Sequence, residues 1–249
     1  MQYYDLHTHT DMSDASIALP ELVEQEAQLG NILGVSDHFF CCGMYTEAQI
    51  RAYIEALRPS DVYRGAEMNM EQNFALPDDV DAELDYVIAA VHNMPDGRGG
   101  FVPLHDYFGK RAGSLTHYEK NYSSDLNRWY LAHTLRMAEK TFSTQRVDVY
   151  AHCTVLPACD ELYGTRFLLD WENAVLSLCL RYGIALEISG LWRAPNMDML
   201  RRAKAMGITF SMGSDCHLPT QIGVLDYVHK AVDELELTEE DFFVPHRRR

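Results

Sequence analysis

The first ten residues end in Asp5-Leu-His7-Thr-His9-Thr. Residues two apart on a strand point to the same side, so His7 and His9 converge. Two imidazoles on one face are ready ligands for a divalent cation. The habit recurs along the chain. Short apolar runs end in Asp37-His38, Glu67, His92, His152 and Asp215-Cys-His217. A buried imidazole or carboxylate is costly without a partner. Repetition of such residues at the ends of runs points to a shared metal cluster, and with it to metal-dependent hydrolysis.

These side chains need a frame. Apolar, strand-like runs lie at about 3–6, 32–36, 62–66, 86–91, 147–151, 184–188 and 208–212. Helical spacing of apolar residues falls between many of them: Leu19 to Leu29 before Gly30, Thr46 to Leu57 before Pro59, Trp171 to Tyr182 before Gly183, and Met197 to Met206 before Gly207. Strand–helix alternation implies parallel strands joined by crossovers. Seven such strands could close into a barrel, in which function sits at the C-terminal strand ends. The candidate ligands fall there, with one exception: the run at 184–188 ends in Glu187-Ile-Ser189. The segment from about 93 to 146 is longer than the other connections and carries Tyr107, Tyr118, Tyr122 and Tyr130. Ser124 to Lys140 within it reads as a helix capped by Ser123 or Ser124. Long insertions of this kind form substrate lids or plain surface excursions, and both readings stay open.

The chain has 249 residues, of which 47% are hydrophobic and 23% charged, ordinary values for one globular domain with such an insertion. No apolar run approaches the roughly 18 residues of a membrane span. The start, Met1-Gln-Tyr-Tyr-Asp5, lacks the pattern of a signal peptide. The six cysteines, Cys41, Cys42, Cys153, Cys159, Cys179 and Cys216, form no C-x-x-C pair and fit reduced thiols in a cytoplasmic protein. A net charge of −16 argues against a nucleic-acid partner.

Taken in order, DLHTHTDMSD, GVSDH, GAEMN, AAVHN, DVYAHC and GSDCH resemble the PHP (polymerase and histidinol phosphatase) family, from Asp5 to about Gly223. The resemblance implies a distorted (β/α)7 barrel with three divalent metal ions at the C-terminal strand ends. By motif, one metal falls to His7, His9, Glu67 and Asp215. A second falls to Glu67, His92 and His152, with Glu67 as a bridge. A third falls to Asp14, His38 and His217. The family often has Gly after the aspartate of its first motif where this chain has Ala15, so Asp11 is an alternative to Asp14. Imidazole and carboxylate together suit Zn, Mn or Fe without choosing among them. Asp5 and Asp37 read as carboxylates that orient ligands, and Asp37 is also named among the catalytic candidates.

Leu186-Glu-Ile-Ser-Gly-Leu-Trp-Arg193 is similar to the histidinol-phosphatase segment in which an arginine follows this strand. Arg193 is therefore a candidate for the substrate phosphate, to which a guanidinium offers a two-pronged fork; Arg166 is a weaker one. His105 and His117 read as surface residues of the insertion before they read as catalysts, and His133, His229 and His246 as structural or exposed. Cys216 and Cys153 each neighbour a ligand and should face away from the metals, because adjacent strand residues alternate. The function expected is a phosphomonoesterase acting on a small phosphorylated metabolite through a metal-bound hydroxide, with histidinol phosphate as the first substrate to try. A PHP-type nuclease or phosphodiesterase, a non-catalytic metal-binding module and an amidohydrolase-like C–N hydrolase are the rivals.

Overall fold

The computed structural model describes residues 1–72, 76–95, 100–118 and 123–247, which leaves Tyr122 outside the described residues. Its strands in chain order are β1 (Tyr4–Asp5), β2 (Ile32–Val35), β3 (Tyr63–Arg64), β4 (Glu67–Asn69), β5 (Ile88–Ala90), β6 (Asn93–Pro95), β7 (Phe101–Pro103), β8 (Val149–Tyr150), β9 (Ala185–Ser189) and β10 (Phe210–Gly213). The helices are α1 (Leu19–Leu29), α2 (Glu47–Leu57), α3 (Asp78–Asp81), α4 (His105–Arg111), α5 (Asn127–Thr144), α6 (Pro157–Glu161), α7 (Arg166–Tyr182), α8 (Met197–Ala205) and α9 (Asp226–Leu235).

Strands β1, β2 and β3 form one parallel sheet, and β4, β5, β8, β9 and β10 a second. The α/β class with parallel pairing is thus as expected from the alternation of runs. Gly65 N donates to Val35 O (2.7 Å) and Glu67 N to Asp37 O (3.1 Å), which carries the pairing from β3 into β4. At the other edges, Leu6 N donates to Met212 O (3.0 Å) and Asp215 N to His7 O (2.6 Å), joining β1 to β10.

Local chemistry explains the helix limits. Gly30 and Gly183 take the left-handed conformation that closes α1 and α7. Thr46 caps α2 by accepting from Gln49 N, with the Gln49 side chain returning to the Thr46 backbone. Helix α7 starts five residues before the apolar pattern does, because Thr165 accepts from Leu168 N and nucleates a turn there. Helix α9 and the antiparallel pair β6–β7 lie outside the sequence expectation.

Two large apolar layers pack helices on the sheets. One includes Leu131, Trp171, Leu176 and Val228; the other includes Leu22, Ile50, Leu57 and Val35. Between the sheets lies a smaller set, Leu6, Tyr86, Ile88, Ala90, Val149, Ala151 and Ala185. Tyr86 fills the space left by two glycines and donates its hydroxyl to Leu6 O (2.6 Å). A Cβ at Gly34 would stand 2.4 Å from the Tyr86 hydroxyl oxygen, and one at Gly65 2.3 Å from its Cζ.

Candidate metal centre

The candidate ligands collect where the parallel strands end. His7 and His9 follow β1, His38 follows β2, Glu67 opens β4, and His92, His152, Asp215 and His217 follow β5, β8 and β10. Asp14 comes from the loop that precedes α1. His152 and Asp215 hold left-handed backbone angles, φ 29° and 57°. Such angles cost roughly 1–2 kcal/mol in a non-glycine residue and cluster at functional sites.

The donor atoms face one another. His7 Nε2 lies 3.4 Å from Glu67 Oε2 and 3.5 Å from Asp215 Oδ1. His9 Nε2 lies 3.5 Å and 3.2 Å from the same two oxygens. The other Glu67 oxygen, Oε1, is 3.3 Å from both His92 Nε2 and His152 Nε2. Asp14 Oδ1 is 3.6 Å from His38 Nε2 and 3.4 Å from His217 Nε2. Donors held about 2.1 Å from a common cation are about 3.4 Å apart at tetrahedral angles and about 3.0 Å at right angles. The observed separations match that construction.

Hydrogen bonding accounts for only part of the convergence, as between His152 Nε2 and Glu67 Oε1 at 3.3 Å. His7 Nε2, both ring nitrogens of His9, His38 Nδ1 and Glu67 Oε2 are buried without a hydrogen-bond partner. His38 Nδ1 lies 2.9 Å from Glu67 Oε2. Orphaned buried polar atoms are costly, and divalent cations fit the space between them. Burial alone would raise Glu67, but the His92, His38 and His7 imidazoles hold it well below the usual carboxylate range. Asp215 is held low in the same way by His7, His9 and His217. Burial depresses His7, and the charges of Asp215, Glu187 and Glu67 more than reverse this. Burial together with His217 and His38 brings His9 down to about 3.

A supporting ring orients these ligands. His7 Nδ1 meets Glu187 Oε1 at 2.6 Å, and Glu187 Oε2 accepts from His152 N at 2.7 Å. His92 Nδ1 meets Asn69 Oδ1 at 2.5 Å. A proton held at Nδ1 leaves the Nε2 lone pair for a cation. Glu187 lies on the one run that offered no ligand at its end, so its signal was present in the sequence with another role. Trp192 was missed altogether; its indole N–H donates to Asp215 Oδ2 (2.5 Å). A tight seat permits this approach: a Cβ on Gly190 would lie 1.8 Å from Val224 O.

The two residues named for catalysis are placed differently. Asp37 is buried and spends its carboxylate on Thr10 N (2.7 Å), the Thr10 hydroxyl (2.6 Å) and the Ser13 hydroxyl (2.5 Å). These bonds tie it to the loop that carries Asp14. Arg193 is exposed, with its guanidinium 5.7 Å from the centre of the Tyr227 ring. Alternation across the Trp192-Arg193 turn gives the inward place to Trp192. Arg166 is exposed and paired with Asp170, and Asp11 is exposed, whereas Asp14 is the aspartate that meets His38 and His217. Cys216 and Cys153 are buried in the apolar layers. His105 and His117 are exposed.

The insertion supplies a wall. Phe108 of α4 packs 5.8 Å from His92, 5.5 Å from His152 and 5.2 Å from Trp192, ring centre to ring centre. Arg111 anchors that helix through Asp160 (3.0 Å) and Trp192 O (3.1 Å).

Two solved structures have this arrangement of elements. A candidate histidinol phosphatase from Listeria monocytogenes aligns over 88% of this chain and 97% of its own, with TM-score 0.65 and 14% identity. A histidinol phosphate phosphatase from Lactococcus lactis, solved with zinc, L-histidinol and phosphate, aligns over 95% of each chain, with TM-score 0.62 and 15% identity. The chain has the histidinol phosphatase fold. In sequence it is similar to a probable phosphatase of Clostridium acetobutylicum, 24% identical over 95% of this chain and 87% of that protein. No family model matches the sequence.

Proposed function

We propose that the chain is a metal-dependent phosphoesterase of the PHP type, a phosphomonoesterase on a small phosphorylated metabolite, with histidinol phosphate as the first candidate. The observation that carries this reading is Glu67, whose two oxygens face two separate donor sets at 3.3–3.5 Å. A bridging carboxylate of that kind suits paired cations, and His38, His217 and Asp14 suit a third. Zn, Mn or Fe bound there would supply Lewis acidity toward phosphoryl oxygens and an activated water. The chain's own part is orientation and exclusion of water. Glu187 and Asn69 aim His7 and His92, while Asp37 fixes the Asp14 loop. Phe108 and Trp192 close one side with apolar surface. Arg193 would reach a substrate phosphate only by leaving Tyr227.

The same reading includes a single domain over 1–249 and a closed, distorted seven-strand barrel, supported by the backbone bonds between β1 and β10. No helix of the described residues is long and apolar enough to cross a membrane. The free cysteines suit a reducing, cytoplasmic setting. Lysines and arginines number 21 against 37 acidic residues, which disfavours a polyanionic nucleic-acid substrate. The test is a phosphatase screen over a metabolite panel, with the chelated protein reloaded separately with Mn, Zn and Fe. Turnover of phosphomonoesters restored by one of these metals is the expected result. Hydrolysis of phosphodiesters alone, or none with any metal, would overturn the assignment.

A further inference from the structure

Beside the third ligand set stands a pair of side chains that the phosphatase reading does not use. Cys41 and Cys42 follow His38 by three and four residues. Their sulfurs and a His38 ring nitrogen all lie within 4.8 Å of one another. The other four cysteines are buried, whereas these two are partly open to solvent.

Neighbouring residues on an extended strand point apart, so two adjacent sulfurs meeting one imidazole need a special backbone. A tight turn provides it. Met44 N donates to Cys41 O (2.9 Å), and Phe40, Cys42 and Gly43 take left-handed φ values of 62°, 52° and 101°. The turn is seated on the loop that carries Asp14, since a Cβ on Gly43 would lie 2.5 Å from Ser13 O. Asn69 ties it to the centre from the other side: Nδ2 donates to Cys41 Sγ (3.4 Å), while Oδ1 holds His92.

We propose that His38, Cys41 and Cys42 form a second binding site, sharing His38 with the third ligand set, for a thiophilic divalent cation, Zn2+ or Cd2+, at the rim of the centre. Two thiolates and one imidazole make the soft N/S donor set that such cations prefer over Mn2+, with a fourth position left to water. Each sulfur–metal bond forms as a thiol gives its proton to solvent, and no electron transfer is involved. A neutral imidazole has one lone pair to give. A cation on the cysteine pair therefore contends with one on Asp14 and His217 for the same His38. Through His38 the site makes the third ligand set responsive to soft cations.

The experiment is a titration of the reduced, full-length protein with CdCl2, read by the ultraviolet sulfur-to-cadmium charge-transfer absorption. Wild type should develop the band to saturation. Cys41→Ser and Cys42→Ser should each weaken it, and the double variant should lack it. A band retained in the double variant, or absent from wild type, would overturn the proposal. Should the double variant fail to fold, alkylation of wild type by iodoacetamide with peptide mass mapping decides instead. Zn2+ at about ten times its dissociation constant should slow modification of both Cys41 and Cys42 about tenfold; unchanged rates would refute the site. Neither readout uses turnover, so the outcome is independent of the phosphatase assignment.

Discussion

Glu67 is a fully buried carboxylate whose two oxygens serve different neighbours, Oε2 toward His7 and His9 and Oε1 toward His92 and His152. Glu67→Gln keeps the shape but replaces one oxygen by an N–H donor that cannot ligate. Elemental analysis should show more than one metal equivalent lost, with activity down by orders of magnitude. Loss of a single equivalent, with the rest retained, would show that Glu67 does not bridge. Glu187 tests the layer behind. Its carboxylate holds both His7 Nδ1 and His152 N, so Glu187→Gln should weaken metal affinity or activity about 10- to 100-fold without removing any ligand. Metal affinity and turnover equal to wild type would count against an orienting role. Most of the candidate ligands stood out in the sequence because each is a costly residue at the end of an apolar run, whereas Asp14, in the loop before α1, came from the motif resemblance alone. Trp192 did not, because an indole between Leu191 and Arg193 reads as packing until the turn geometry is known. Motif similarity says which residues follow a strand, not which of two neighbours turns inward, so it could not tell that Trp192 is buried and Arg193 lies against Tyr227.

At the scale of elements, the alternation of runs and helical stretches anticipated the parallel strands and the limits of α1 and α2, since hydrophobic period and capping residues act locally. The paired strands β6 and β7 and the packing of α4 on the centre depend on contacts distant in sequence, which no local pattern encodes. Cys41 and Cys42 belong to the same class: their convergence comes from a left-handed turn, not from spacing. The seat of Tyr86 shows how tightly strands constrain one another. Gly34 and Gly65 leave room for one ring, which reaches across to Leu6 O. Gly65→Ala would drive a methyl to 2.3 Å from Tyr86 Cζ, a clash with the end of a fully buried ring whose hydroxyl is tied to Leu6 O. Overpacking of this kind costs about 1–3 kcal/mol, so the urea midpoint should fall with the slope unchanged. A midpoint equal to wild type would mean that the interior around Tyr86 is looser than the structure shows.

For the whole molecule, the charge balance and the centre make one argument. Acidic residues exceed basic ones by 37 to 21, so the net charge does not draw in polyanions, and under the proposed function attraction of a phosphate would fall to cations bound at the strand ends. Such cations would bear on stability as well. Without them, Glu67, Asp215 and their surrounding imidazoles are buried with several donor atoms unpartnered. A ligand that binds only the folded chain stabilises it by about 2.7 kcal/mol at a hundred times its dissociation constant. For a chain of this length each kcal/mol moves the melting temperature by about 2–4 °C. Exhaustive chelation should therefore lower the calorimetric melting temperature by roughly 5–10 °C per tightly held cation. Reloading should restore it in step with bound metal measured on the same samples. The dependence should vanish in Glu67→Gln for the cations that this residue helps to hold, while any cation on Asp14, His38 and His217 keeps its share. A melting temperature indifferent to chelation, in protein shown to bind metal, would mean that the cluster is equally satisfied empty, and the case built on its orphaned donor atoms would fail.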